Sequence, residues 1–342
     1  MEYTVLDKVK FLMALEVVLI HTQPWQGLGA EWIANACNIL TASAVPFFFM
    51  ASGFLLFRKV KKPFGEEGAR RFSVYMKKIA SLFLIWTFLY LPVTLYGEFV
   101  VYKVSVEKGI LKMLRNFLLV GNDYNGWHLW YLHGLLIAGG LTWLLLKAGM
   151  RIPQITAVAS LCFLTGILLE YMHAGAFGAS IPVQKLSEIY FAVFQTTRNG
   201  IFHGFLYFTV GGCVAYRERG IRPGLAAAIA VCGYLGGYLL YDSLFFRKLL
   251  VCMASISIFV LVIVVQKKGR KPCRKFRRAG VVIYLVHMLF YSLFVDVLAK
   301  GKAVYEWKVC LFTLAGSLIV AAFVVGAGEK GKYPFLSTIF PD

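Results

Sequence analysis

The segment from Asp7 to His21, DKVKFLMALEVVLIH, decides the fold of this chain. An apolar run of this length is expected to be helical, because a backbone in lipid must satisfy its own hydrogen bonds. At about 100° per residue, Lys10 and His21 return to within roughly 20° of the same helix face, about 16 Å apart along the axis. Asp7, Lys10 and His21 therefore share one stripe, and Glu16 lies off it. Because a charge exposed to lipid is costly, this side of the helix is predicted to face the protein interior.

The whole chain resembles this first segment in composition. Of its 342 residues, 59% are hydrophobic, and the mean hydropathy of +0.69 is too high for an ordinary soluble domain. The apolar segments predict an all-α fold, a polytopic membrane helix bundle formed by a single domain over residues 1–342. We expect about ten transmembrane helices, near residues 9–25, 33–57, 79–96, 127–146, 152–173, 201–216, 224–240, 249–265, 279–298 and 309–326.

The positive charge of the chain is explained by membrane topology. The formal net charge is +19, and most of the 36 Lys and Arg residues fall in alternate loops of the predicted bundle. This asymmetry follows the positive-inside rule and predicts that both termini lie in the cytoplasm. We therefore expect a multi-pass protein of the cell membrane, in a bacterium the cytoplasmic membrane. Its expected partner is membrane lipid and not nucleic acid, and its oligomeric state is left open.

The cysteines predict no metal site. The seven cysteines show neither metal-ligand nor redox spacing, and most lie in apolar segments, where cysteine is usually a small hydrophobic residue. We therefore expect no disulfides and no bound metal.

Four motifs resemble those of the membrane acyltransferase-3 family. The first is a basic residue, Lys10, followed after ten intervening positions by His21. The others are VPFFFMASGF at Val45–Phe54, HLWYL at His128–Leu132 and IYLVH at Ile283–His287. Within this family, TRNGIF at residues 197–202 and the segment from Lys77 to Pro92 are most similar to the membrane domain of vancomycin-resistance-type serine racemases.

The resemblance implies an enzyme that moves an acyl group, expected to be acetyl, from cytoplasmic acyl-CoA to a hydroxyl. The acceptor would be a carbohydrate or lipid-linked molecule at the outer face. Acetyl-CoA or another acyl-CoA would be a donor substrate and not a permanently bound cofactor. Such a transfer needs a general base, and an imidazole has a suitable pKa, so His21 is the predicted base. Glu16 is predicted to assist catalysis by polarising an interior partner.

Basic residues at the cytoplasmic end are expected to bind the phosphates of the donor. Lys10 is one, and it stands where family members usually have arginine. Family members also carry two arginines three positions apart at the start of the third helix, whereas this chain has adjacent Lys77 and Lys78. Lysine is a point charge and lacks the planar fork of arginine, so these replacements are not conservative.

Five further residues are predicted to contact substrate: Ser52, His128, Arg198, Asn199 and His287. Each has an alternative. His128 could be a satisfied polar tip at the membrane interface, and Arg198 beside Asn199 could bind an anion at a helix start or serve as an interfacial anchor. His287 could be a structural donor between helices.

A transporter or binding domain for a small amino acid such as L-serine is the alternative function. It follows from the resemblance to serine-racemase membrane domains, with Arg198 engaging the amino-acid carboxylate. A purely structural membrane protein is the third class, and the charges inside apolar segments disfavour it.

Overall fold

The structure is a computed structural model that describes residues 3–60, 65–175, 181–217, 222–266, 273–300, 306–329 and 335–340. Within these ranges the fold is helical without strands, as predicted. The helices are α1 Thr4–Thr22, α2 Glu31–Thr41, α3 Ala44–Lys59, α4 Glu66–Leu95, α5 Val106–Arg115, α6 Trp130–Lys147, α7 Ile152–His173, α8 Ile181–Phe194, α9 Phe205–Tyr216, α10 Pro223–Leu239, α11 Leu244–Val264, α12 Arg274–Ser292, α13 Trp307–Glu329 and α14 Leu336–Ile339.

All ten predicted segments are helical in the structure. Among the described residues, seven helical stretches are long and apolar enough to cross a membrane: Glu31–Lys59, Glu66–Val101, Trp127–Lys147, Ile152–His173, Leu244–Val264, Arg274–Leu298 and Trp307–Ala327. Gly200–Tyr216 and Pro223–Leu239 are shorter apolar helices. The multi-pass helical architecture is therefore supported, while the count of ten spans and the cytoplasmic placement of the termini stay predictions.

The predicted helix 33–57 is two helices. A turn at Ala42 and Ser43 separates α2 from α3. Pro46 lies in the first turn of α3, where a backbone N–H has no partner within the helix, so proline costs little there. The proline therefore sits just after the break instead of kinking one continuous helix.

Two predicted loops contain helix. α4 begins at Glu66 and not near residue 79, so Lys77 and Lys78 lie on a helix. Its first turn carries Glu66 and Glu67, which favour a helix N-terminus, and Arg71 pairs with Glu67 one turn away. The predicted outer loop 174–199 contains α8. The loop between the predicted segments 79–96 and 127–146 contains α5 and the π-helical turn Asn116–Val120 that follows it.

Glycines bring the backbones of α3 and α9 into contact. A Cβ atom added at Gly53 would lie 1.9 Å from the carbonyl oxygen of Phe208, and one added at Gly211 would lie 2.1 Å from that of Met50. Such small residues let membrane helices approach closely and gain packing energy. Gly53 belongs to the VPFFFMASGF motif, so one role of that motif is to join these two helices.

Gly53→Ala should lower the thermal unfolding temperature of the purified protein, because overpacking a tight core contact typically costs about 1–3 kcal/mol. Gly140→Ala is the matched control, since nothing lies within 4 Å of a Cβ added on that helical glycine. Equal unfolding temperatures for the two variants would contradict the close contact of α3 and α9.

Candidate functional site

Three histidines that are far apart in sequence form one cluster, the histidine cluster of His21, His128 and His287. His21 lies in the last turn of α1, His128 in the short turn Trp127–Leu129 before α6, and His287 within α12. The ring of His287 is central: its centroid lies 5.3 Å from that of His21 and 5.0 Å from that of His128. The structure therefore brings together three of the residues that the sequence singled out.

The hydrogen bonds of His287 define which ring nitrogen carries the proton. Its Nδ1 lies 2.8 Å from the carbonyl oxygen of Tyr284 and 3.1 Å from that of Ile283. Because a carbonyl can only accept, Nδ1 must be the donor, which leaves Nε2 as an acceptor in the neutral ring. This Nε2 is buried and has no hydrogen-bonding partner among the described residues. His287 thus offers a free lone pair inside the cluster.

His128 is not the satisfied interfacial tip that was considered from the sequence. It is only 2% exposed, and neither ring nitrogen has a hydrogen-bonding partner in the described part of the chain. The rings of Tyr90 and Tyr284 pack against it, with centroids 5.0 Å and 5.3 Å away. A neutral imidazole always carries one N–H, and in His128 this donor lies next to His287 with the backbone of Leu285 nearby.

A pocket of about 320 Å³ opens beside His21. Gln23, immediately after α1, adopts a left-handed backbone conformation with φ of 40°, which ends the helix at this wall. The side chains that line the pocket are Ile20, His21, Gln23, Val120, Asn122, Trp127, Trp130, Thr196, Arg198 and Tyr291. His21 therefore belongs both to the pocket wall and to the histidine cluster.

The segment Thr196–Asn199 presents Arg198 to the pocket. The backbone N–H of Arg198 donates to Oγ1 of Thr196 over 3.0 Å, and the hydroxyl of Thr197 donates to Glu170 of α7. Lys248 of α11 forms an ion pair with the same carboxylate. The hydrogen bond to Glu170 thus anchors the segment at Thr197, while the Arg198 side chain is exposed.

Asn199, a predicted substrate residue, caps the following π-helical turn Gly200–Gly204. Its side-chain oxygen accepts from the backbone N–H groups of Ile201 and Phe202, each over 3.0 Å, and its nitrogen donates to the hydroxyl of Tyr190 over 2.8 Å. Asn199 is buried and is not part of the pocket wall. The structure gives it a capping role that positions Arg198.

Ser52 is linked to the histidine cluster through two tyrosines. Its hydroxyl lies 3.0 Å from that of Tyr131, and the ring of Tyr131 packs against that of Tyr284 with centroids 5.6 Å apart. Tyr284 in turn donates a hydrogen bond of 2.6 Å to the backbone oxygen of His128. Ser52 is therefore connected to His128 through Tyr131 and Tyr284, and it does not line the pocket.

Glu16 points away from the histidine cluster. It precedes His21 by five residues, about 140° around the helix. Glu16 instead lies near Tyr234 of α10, whose hydroxyl donates a hydrogen bond of 2.6 Å to the hydroxyl of Ser43. One carboxylate oxygen of Glu16 is buried without a hydrogen-bonding partner among the described residues. The structure does not bring this predicted catalytic residue to His21.

Positive charges gather at the opposite end of α1 in the basic cluster of Lys10, Lys78 and Arg277. Lys78, Arg277 and the carboxylate of Asp7 are the charges that act on Lys10. α12 approaches α1 closely here, since a Cβ added at Gly280 would lie 3.5 Å from the carbonyl oxygen of Lys10. Lys77 is exposed on α4 and is not one of these charges.

Arg277 is a candidate that the sequence did not single out. It belongs to the basic segment between the predicted helices 249–265 and 279–298, whose charge membrane topology explains, and residues 267–272 lie outside the described residues. Its Nε is buried without a hydrogen-bonding partner in the described ranges. Gly280, three residues after Arg277, permits the contact of α12 with α1, and it is the feature of the sequence that could have indicated this position.

The segment Gly121–Gly126 borders the pocket at Asn122 and is hydrogen-bonded to the π-helical segment Leu293–Leu298 that follows α12. Asp296 accepts a hydrogen bond of 2.7 Å from the hydroxyl of Tyr124 and one of 3.1 Å from the side-chain nitrogen of Asn125. Burial raises the pKa of the neighbouring Asp123 to about 6, opposed by a hydrogen bond from Asn116. This attachment fixes one wall of the pocket relative to His287.

Comparison with known proteins identifies the family. The acyltransferase-3 model, described as an acyltransferase domain, matches residues 3–326. An amino-acid racemase of Enterococcus faecalis is 27% identical over 225 residues, covering 64% of this chain and 29% of the relative. A serine/alanine racemase of Enterococcus gallinarum is 27% identical over 209 residues, covering 60% and 28%. The chain thus matches less than a third of the length of these relatives, and no solved structure matches it. Because the match extends over nearly its whole length, the chain belongs to the acyltransferase-3 family.

Proposed function

We propose that this protein is a membrane O-acyltransferase that moves an acyl group, expected to be acetyl, from cytoplasmic acyl-CoA to a hydroxyl at the outer membrane face. A carbohydrate or lipid-linked molecule is the proposed acceptor. The observation that carries the proposal is the construction of α1. This helix has the basic cluster at one end and His21, in contact with both the pocket and the histidine cluster, about 16 Å further along. Membership of the family supports the same reaction.

The basic cluster is the proposed site for the phosphates of the donor. Lys10 and Lys78 supply two point charges, and Arg277 adds a planar guanidinium that suits a phosphate. Arg277 thus offers the fork that is missing at the positions where family members usually carry arginine. Lys77, which directly precedes Lys78, is exposed on α4 and adds long-range attraction for the phosphates.

His21 is the proposed general base. It takes the proton of the acceptor hydroxyl while the hydroxyl oxygen attacks the carbonyl carbon of the thioester. The tetrahedral oxyanion then collapses, the carbon–sulfur bond breaks, and the sulfur takes the proton from the imidazolium. The products are an ester and free coenzyme A, and His21 returns to its neutral form.

The other two histidines are given complementary roles. Nε2 of His287 is free to accept a hydrogen bond from the second ring nitrogen of His21, which would orient the base and stabilise its charged form. The N–H of His128 is the proposed donor to the oxyanion. These roles use ring nitrogens that the fold buries inside the histidine cluster.

An amino-acid carrier is the second candidate, favoured by Arg198 in the pocket and by the similarity to relatives named as racemases.

Purified protein in lipid nanodiscs should release free thiol from acetyl-CoA when a hydroxyl-bearing acceptor is supplied. Uptake of labelled L-serine into proteoliposomes is the parallel measurement. Serine uptake without any thiol release would contradict the acyltransferase proposal and favour the carrier.

A further inference from the structure

The pocket beside His21 contains one fixed charge. Arg198 is charged, and no aspartate or glutamate belongs to the described pocket wall. Its side chain is exposed to the pocket and forms no ion pair with any described carboxylate. A guanidinium that lines a pocket without a counter-ion attracts an anionic ligand, and its planar donors match a carboxylate or a phosphate.

The surroundings of Arg198 do not compensate its charge. The ionisable side chains near Arg198 include Lys248, His21 and His203, none of which is a carboxylate. The neighbouring carboxylate, Glu170, is already bound by Lys248 and by the hydroxyl of Thr197. Arg198 therefore supplies the net positive charge at the pocket, and Glu170, already paired, leaves no free carboxylate beside it in the described part of the chain to repel an anion.

The other walls suit a compound that also has hydroxyls and an apolar face. Trp127, Trp130 and Tyr291 provide flat aromatic surface, and the Gln23 and Asn122 side chains provide amide donors and acceptors. We propose that the pocket binds an acidic hydroxyl compound, with its carboxylate or phosphate at Arg198 and a hydroxyl at His21. The placement of the hydroxyl rests on the proposed acyl transfer, whereas the anion site does not.

Binding of matched probes tests the anion site without any chemical turnover. Glucuronate is compared with glucose, and glycerol 3-phosphate with glycerol, by tryptophan fluorescence of the purified protein. In a third comparison the protein is placed in nanodiscs of phosphatidylglycerol or of phosphatidylcholine, and its tryptophan fluorescence is compared. A lipid headgroup can carry the same anion and hydroxyls as the soluble probes. The wild type should prefer the anionic member by about ten-fold or more, and the preference should shrink with added salt.

Variants connect the preference to Arg198. Arg198→Gln should abolish it and Arg198→Lys should keep part of it, because lysine retains the charge but loses the fork. Lys185→Gln is the matched control, since Lys185 is exposed on α8 and is not part of the pocket wall. If the wild type prefers the anionic member of the soluble pairs, the ligand of Arg198 is a free acid. If the preference appears only with phosphatidylglycerol, the ligand is a lipid headgroup.

Two outcomes overturn the inference: no anion preference in the wild type, or a preference that survives in Arg198→Gln. A transfer assay with labelled acetyl-CoA separates this result from the fate of the proposed function. Equal acyl transfer to neutral and acidic acceptors would support the acyltransferase function and contradict the anion site at Arg198. Anion binding through Arg198 without transfer under any condition would retain the site and remove the enzyme.

Discussion

His21→Gln is expected to lower acyl transfer by about 10²–10⁴-fold, the usual contribution of a positioned general base. Glutamine keeps much of the size and hydrogen-bonding capacity of histidine, but a neutral amide cannot take up a proton at neutral pH. Coenzyme A should therefore still bind to the folded variant. The measurement is thiol release from acetyl-CoA with an acceptor present, together with coenzyme A binding by calorimetry.

His173→Gln is the matched control for this substitution. His173 is exposed at the end of α7, where its ring stacks on Phe191 with centroids 4.1 Å apart, and it takes no part in the histidine cluster. The control should retain wild-type turnover. A carrier that uses His21 only as a hydrogen-bond donor should retain much of its transport in His21→Gln. Serine transport by this variant, without acetyl-CoA turnover in the wild type, would show that the acyltransferase proposal is wrong.

The sequence predicted the parts of the site that depend on a single helix. Lys10 and His21 share one face of α1 because helical periodicity relates them directly, and each meets other basic or imidazole groups in the structure. The same periodicity places Glu16 about 140° from His21, off the stripe that Lys10 and His21 share. The structure agrees with that geometry.

The parts that depend on contacts between helices were not predictable from one sequence. His128 and His287 are 5.0 Å apart by ring centroids because the turn before α6 packs on α12, which no local pattern encodes. The position of Arg277 beside Lys10 likewise depends on the close approach of α12 to α1 at Gly280. Hydropathy alone assigned Arg277 to a topology signal, since basic residues at helix ends usually have that role.

The early start of α4 has a related cause. The region 66–78 is too polar to appear in a search for apolar segments, yet it contains residues that favour helix, including the Glu67–Arg71 pair. Local propensity and the favourable placement of acids at the N-terminus extend the helix beyond its apolar part. As a result Lys78 is carried on a rigid element that faces Lys10, where a loop had been expected.

The basic cluster yields the second large effect that we expect. Lys10→Ala should weaken coenzyme A binding by about 1–3 kcal/mol, the range for a hydrogen bond to a charged group, whereas Lys10→Arg should retain or improve binding. Arg277→Gln should weaken binding to a similar degree. Because both side chains act on the same phosphates, the double variant should lose less than the sum of the single losses.

Arg274→Gln provides the control for the loss of positive charge. Arg274 is exposed one turn before Arg277 on α12 and is further from Gly280, where α12 meets α1. Its replacement should change coenzyme A affinity little, and only through long-range attraction that salt screens. Calorimetric titration at two salt concentrations distinguishes the cases. Equal affinity in the wild type, Lys10→Ala and Arg277→Gln would remove the basic cluster from the donor site and leave its charges as determinants of membrane orientation alone.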